Sequence, residues 1–145
     1  MSHEPTDSHL TQLIDRWIAQ WNEPDDDERR RLIREVWAED GHQVMVNPPA
    51  GVRDTAAQYG VPFPAVEIRG HDALYERVTR AYEMFVAAGE HVFEQSGEVV
   101  RHAGNAVALT WVMRSRPDGA VAGTGLEVLT FHTDGRVRSD HEYVA

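Results

Sequence analysis

Three carboxylates, Glu127, Asp140 and Glu142, recur within one short stretch near the C-terminus. The stretch reads AGTGLEVLTFHTDGRVRSDHEYV, Ala122 to Val144, two β-runs joined by Asp134-Gly135. That dipeptide between alternating runs is a strong signal for a tight hairpin. With Asp134 and Gly135 as the two loop residues, Phe131 falls opposite Arg138, Leu129 opposite Asp140, and Glu127 opposite Glu142. Strand side chains alternate, so the whole set shares one face. Like charges set opposite each other repel, so such a face lies in water, with Arg138 as a neutralising partner, or lines a pocket. In an apolar pocket, desolvation and mutual repulsion raise at least one of the pKa values. Two acids so separated divide into a proton donor and a proton acceptor, the equipment of general acid–base catalysis.

Other chemistries leave no trace. The chain has no cysteine, which excludes a thiol nucleophile and a disulfide scaffold. Its eight histidines show neither HxH nor HExxH spacing. Asp140-His141-Glu142 on a strand sends neighbours to opposite faces, so no metal site is expected. His71, at a helix start, reads as a surface residue. No G-x-S-x-G, phosphate loop or dinucleotide fingerprint occurs, and no cofactor is expected. Gly123-Thr124-Gly125 reads as a strand bend or bulge.

The elements that must hold these acids follow from periodicity. Residues 1–8 read as a flexible polar end. From His9 to Asn22, Leu10, Leu13, Ile14, Trp17, Ile18 and Trp21 keep the spacing of an amphipathic helix, capped by Asp7 or Ser8. Acids at Asp25 to Asp27 suit the start of a second helix, striped by Leu32, Ile33, Val36 and Trp37 and stopped at Gly41. His42 to Val46 is a short β-run broken by Asn47-Pro48-Pro49. The chain to Pro64 reads as a long loop of the kind that is functional or mobile. After Ala65 to Arg69, Gly70 opens a third helix with Leu74, Val78, Ala81, Tyr82 and Phe85 on one side. Four β-runs follow, His91–Arg101, Ala106–Arg116, Val121–His132 and Arg136–Val144. Helices segregated from an antiparallel sheet make an α+β domain.

At 145 residues the chain is most simply one domain, 1–145, with a core that needs no staple. A net charge of -10 argues against nucleic acid and anionic membranes. No apolar run reaches the length of a membrane span, and the N-terminus lacks a basic-then-apolar pattern, so a cytoplasmic protein is expected.

In order and spacing, RWIAQWN in the first helix, VWAEDG closing the second, Gly70 opening the third and GTGLEVLTFHTDGRV near the end carry a resemblance. The chain resembles the SnoaL-like members of the nuclear-transport-factor-2-like superfamily, relatives of ketosteroid isomerase and limonene epoxide hydrolase. The likeness runs from about Leu10 to Val144. It implies a cone: a curved antiparallel sheet wrapped around three N-terminal helices, with a central pocket between the first helix and the concave sheet face. By the same resemblance Trp17 stands where the isomerase has its oxyanion tyrosine, and Glu127 where it has a second oxyanion acid. In that enzyme the acid stays protonated because its site is apolar. The isomerase's base falls on Met45, or on Asn47 if Asn-Pro is matched, and neither can act as that base. Glu142 stands where the epoxide hydrolase has a catalytic acid, but that enzyme's other acid and its arginine fall on Met113 and Trp111. Neither mechanism transfers whole.

The expected site is therefore a pocket of Trp17, Trp21, Met45, Asn47, Trp111, Met113 and Leu129, holding Glu127 and Glu142 with Asp140. It suits a small apolar molecule. Two functions fit: a cofactor-free acid–base enzyme (isomerase, cyclase, dehydratase or hydratase), with Glu127 and Glu142 carrying protons and Trp17 orienting the substrate, or a non-catalytic binding or assembly module. The opposite face, with Val128, Thr130, His132, Val137, His141 and Tyr143, suits the contact of a homodimer, as the resemblance also implies.

Overall fold

The structure, a computed structural model, describes residues 5–145. Of the proposed flexible end at residues 1–8, residues 1–4 lie outside these, while Asp7 and Ser8 belong to the first helix instead. Helix α1 (Asp7–Asn22) buries Leu10, Leu13, Ile14, Trp17 and Trp21, the apolar stripe of the sequence. Its cap is Thr6, one residue earlier than expected, whose side chain accepts from the backbone N–H of His9. Helix α2 (Asp26–Val36) starts at an Asp25 cap with three acids in its first turn, which the positive helix end favours.

Gly41 does not stop this helix. The helix ends at Val36, and strand β1 (Trp37–Met45) begins at once. Gly41 lies in the irregular part of β1, between the register points Trp37 and His42. A Cβ there would sit 2.8 Å from the carbonyl oxygen of Ala38 and 2.9 Å from that of Val137. Glycine is needed for a close backbone approach rather than for a helix stop.

The stretch expected as one long loop contains a helix, α3 (Ala50–Gln58), entered from Pro49. None of its residues is buried, so it has no apolar stripe to read in the sequence. Strand β2 (Val66–Arg69) and helix α4 (His71–Ala81) follow, and α4 runs on into a π-turn, Tyr82–Val86. The β-run expected over His91–Arg101 is two strands, β3 (His91–Gln95) and β4 (Val100–Arg101), separated at Gly97, whose φ is +73°. Strands β5 (Val107–Ser115), β6 (Val121–Phe131) and β7 (Val137–Val144) complete a seven-stranded sheet.

The strand order is β2-β1-β7-β6-β5-β3, with β4 also on β5. The β1–β7 pair is parallel and the others antiparallel. The sheet is therefore mixed, not purely antiparallel. No short turn joins β1 to β7, so nothing local sets their relative direction. The sheet is curved and unclosed, and with the helices it makes the expected α+β cone. Trp17, Trp37, Ile33, Leu74, Leu109 and Leu129 fill the space between layers. Among the described residues no helix is long and apolar enough to cross a membrane.

The hairpin that carries the acids keeps two of its three expected pairings, Leu129 opposite Asp140 and Glu127 opposite Glu142. The third fails. The connection spans residues 132–136, closed by the N–H of Gly135 donating to the oxygen of His132 at 2.9 Å. A register shift follows Thr130, and Phe131 pairs with Val137 instead of Arg138. A bulge reverses the alternation on one strand. Arg138 is consequently exposed and Val137 fully buried. Arg138 is no partner for the acids, and Val137 does not belong to the outer face.

Candidate functional site

A cavity of about 450 Å³ opens inside the cone. Trp17 and Trp21 of α1, Met45 of β1, Asn47 beyond it, and Trp111 and Met113 of β5 all line it. These are six of the seven expected wall residues. Leu129 is the exception. It is fully buried within the core cluster and does not reach the cavity. Asn47 shapes the rim, its side chain exchanging hydrogen bonds with the backbone of Val144 at 2.6 and 2.9 Å. Pro48, Pro49 and Arg53 bring the start of α3 to the same rim.

The aromatic wall is continuous. Trp17 and Trp21 stand one helical turn apart with ring centroids 5.6 Å apart, and Phe93 lies 6.2 Å from Trp21 and 5.5 Å from Trp111. Phe85, carried to the wall by the π-turn, meets Phe93 edge-on at 6.3 Å. π-turns concentrate at functional sites because the extra residue re-aims a side chain.

The three acids sit on neighbouring strands. Only Glu142 reaches the cavity, at 4 % exposure; Glu127 and Asp140 are fully enclosed and do not line it. The indole N–H of Trp111 donates to Glu127 Oε1 at 2.9 Å. Gln43, inward-facing on β1, donates from Nε2 to Asp140 Oδ2 at 3.1 Å and toward Glu142 Oε2 at 3.5 Å. Arg77 of α4 donates from Nε to Gln43 Oε1 at 3.1 Å and from Nη2 to Glu142 Oε1 at 3.0 Å. One guanidinium thus answers three buried carboxyls.

That imbalance fixes the protonation. Burial drives the pKa of Glu127 well above the ordinary glutamate range, and the charge of Asp140 adds to it. Burial likewise raises Asp140, to about 7, against hydrogen bonds from Glu127, Gln43 and Trp17 that favour its charge. Glu127 Oε2 and Asp140 Oδ1 are both buried without an N–H donor. A hydrogen bond between the two carboxyls raises Glu127 and lowers Asp140. Glu127 is the neutral member and Asp140 ionises first. The Trp17 N–H lacks a well-formed hydrogen bond but lies close enough to Asp140 to favour its anion.

Sequence reasoning placed Glu127, Asp140, Glu142 and Trp17 in one region, and the structure brings them together. It missed Arg77, Gln43, Phe85 and Phe93. Arg77 had a signal: it lies three residues after Leu74 and four before Ala81, a cation on the apolar stripe of α4. Gln43 had a fainter one, as a polar residue in strand phase with Met45. Among the described residues no group of three or more His, Asp or Glu is arranged to hold a metal ion.

No protein-family model matches the chain, and no curated protein matches it. Solved structures do. A candidate isomerase of the SnoaL-like family from Agrobacterium tumefaciens is similar at 24% identity with a TM-score of 0.72, over 97% of this chain and 99% of that one. A nuclear-transport-factor-2-like protein from Exiguobacterium is similar at 16% identity with a TM-score of 0.62, over 92% and 98%. A candidate polyketide cyclase from Sinorhizobium meliloti is similar at 15% identity with a TM-score of 0.57, over 91% and 94%. The chain has the SnoaL-like, nuclear-transport-factor-2-like fold that the sequence resembled. At these identities the likeness establishes the fold, while the chemistry rests on the side chains present.

Proposed function

We propose that this protein is a cofactor-free acid–base enzyme acting on a small, mostly apolar molecule, as an isomerase, cyclase, dehydratase or hydratase does. The carrying observation is the trio Glu127, Asp140 and Glu142, buried with one guanidinium beside an aromatic cavity. Core acids without matching cations are costly, and such perturbed groups concentrate where protons are moved. Glu142 is the member that meets the ligand. Glu127 and Asp140 hold a proton behind it, connected through the Gln43 amide. Trp17 orients the ligand from the helix side. The fold neighbours described as an isomerase and a cyclase are compatible with this reading.

A second reading, a non-catalytic binding module, draws on the seclusion of Glu127 and Asp140 from the cavity and on the ion pair of Glu142 with Arg77. One experiment separates them. Native mass spectrometry of purified protein identifies a retained small molecule, and Glu142→Gln is then tested on it. In an enzyme the variant should lose at least about 100-fold in turnover, the scale of one general acid or base, with affinity changed only a few-fold. Undiminished conversion would remove Glu142 as the proton carrier. A ligand that wild type binds but never converts would leave the binding module.

We further propose a homodimer through the outer sheet face, where Leu126 pairs with Tyr143 and Val128 with His141. Leu126 and Tyr143 are exposed large apolar residues on a central strand pair. Val128→Asp should therefore give monomers. A folded variant eluting from a sizing column like wild type would count against this face.

A further inference from the structure

The mouth of the cavity is bordered by a segment that little holds in place. The exposed lining residues Asn47, Pro49, Arg53, Ala122 and Val144 mark that mouth. Asn47 is tied to Val144, and Met45, which also lines the cavity, pairs with Val66 of β2. The chain between, residues 48–65, therefore leaves and rejoins the sheet at one place on the rim. Pro48 is its one buried residue. Among the described residues, every hydrogen bond made by 48–65 ends within the segment, and no other helix or strand packs closely on α3. So short a helix is marginal without packing.

The segment also carries apolar residues that cover nothing. Tyr59 and Phe63 are 81% and 93% exposed, and Val52 and Val61 are exposed as well. An apolar cluster left in water marks a contact. Helix phase says which contact. Val52, Ala56 and Tyr59, spaced by four and three, lie on the side of α3 that also brings Pro49 and Arg53 to the cavity. Three apolar residues are too few to announce the helix in the sequence, but they share the side toward the mouth. Nine helical residues reach about 13 Å, enough to cross a mouth leading into about 450 Å³. The cavity has aromatic walls from α1, β3, β5 and the π-turn, and none at its mouth.

We propose that residues 49–64 are a lid. With its feet at Asn47 and Val66, it closes over the mouth on an apolar ligand, and Val52, Tyr59 and Phe63 become the missing outer wall. Closure excludes water from Glu142, where it strengthens that acid's interactions with the ligand. The lid rests on the cavity being a ligand site, and it deepens that reading by naming ligand contacts that stand in water here.

The test uses 2-naphthol, an uncharged two-ring probe whose binding quenches tryptophan fluorescence. Bound probe should slow hydrogen exchange across residues 49–65 severalfold, since those amides open locally in the free protein. Tyr59→Ser/Phe63→Ser should keep the wild-type urea midpoint, because both residues are exposed. It should nevertheless release the probe about tenfold faster, the worth of burying part of one aromatic ring. Ala122→Trp, which fills the mouth from β6, should weaken binding. Exchange unchanged by bound probe, or release from the double variant at the wild-type rate, would overturn the lid and leave the cavity a ligand site. Undiminished binding to Ala122→Trp would put the probe outside the cavity and overturn a lid over it. A double variant that unfolds would show both residues already packed, which also overturns the lid. Failure of 2-naphthol to bind at all would instead remove the cavity as an apolar ligand site, and the lid with it.

Discussion

Glu127→Gln should stabilise the protein, and by more as the pH rises: about 1.4 kcal/mol for each unit above about pH 5. An unfolded chain releases the Glu127 proton near 4.5, whereas the folded protein holds it to a much higher pH because the site is buried and Asp140 stands beside it. Below the unfolded value both states carry the proton, and its contribution to stability is complete. Above it only the folded state does, so stability falls with each unit until the folded pKa is reached. Glutamine is the neutral acid made permanent. Its oxygen can accept from the Trp111 N–H and its amide can donate to Asp140, as the protonated carboxyl does. Urea denaturation of both proteins at pH 5, 6 and 7 measures the difference, which should widen at each step. A difference that does not change with pH would show that Glu127 is not held neutral.

A companion change sharpens this. In Glu127→Gln, Asp140 should still titrate above the ordinary aspartate range, since burial still raises it. In Glu127→Gln/Asp140→Asn the Trp111 and Gln43 donors claim both new oxygens, and the two amide nitrogens are left facing each other. The second substitution should cancel much of the gain of the first. If the enzymatic reading holds, the stabilised single variant should also be the less active one, a site's strain being traded for function.

What the sequence disclosed divides by distance along the chain. Glu127 opposite Glu142 was legible because strand alternation and a turn dipeptide are local, and the register survives at that end of the hairpin. Nearer the turn it does not survive. A five-residue connection and a bulge place Val137 inside and Arg138 outside, and a single turn dipeptide did not disclose that length. Trp17, Trp21, Trp111 and Met113 were found through helix and strand phase combined with a resemblance in fold. Leu129 had the same phase but lies too deep to touch the cavity, a matter of layer thickness that alternation does not encode. The pairing of β1 with β7 and the reach of Arg77 to Glu142 join residues 97 and 65 positions apart, respectively, and no short pattern reports either. The fold was readable because many weak periodic signals agree. The site depends on a few long-range contacts, each made once.

Gly125→Ala should cost on the order of 3 kcal/mol and disable the acid pair, while Gly123→Ala, two residues away, should be nearly neutral. Both glycines sit on β6 and were read together as a bend or bulge. The bulge lies beside Gly123, where Ala122 is left over between the pairs Met113–Gly123 and Arg114–Val121. Gly125 has a different duty. It pairs with Trp111, and a Cβ there would lie 2.3 and 2.4 Å from carbons of the indole and 2.8 Å from its Nε1. At Gly123 the nearest atom would be the end of Met113 at 3.7 Å, an ordinary contact with a flexible side chain. The Trp111 ring is rigid and held by Phe93 at 5.5 Å, so it must move as a whole or the strands must part. Overfilling of this kind costs about 1–3 kcal/mol. Moving the ring also breaks the 2.9 Å bond from Trp111 to Glu127, which leaves that oxygen buried without a donor for about 1–3 kcal/mol more. Denaturation of the two variants measures the cost. In Gly125→Ala the pH-dependent gap between wild type and Glu127→Gln should change as well, because Glu127 then loses its indole partner. Equal stability of Gly123→Ala and Gly125→Ala would show that Trp111 does not rest on the bare backbone of β6.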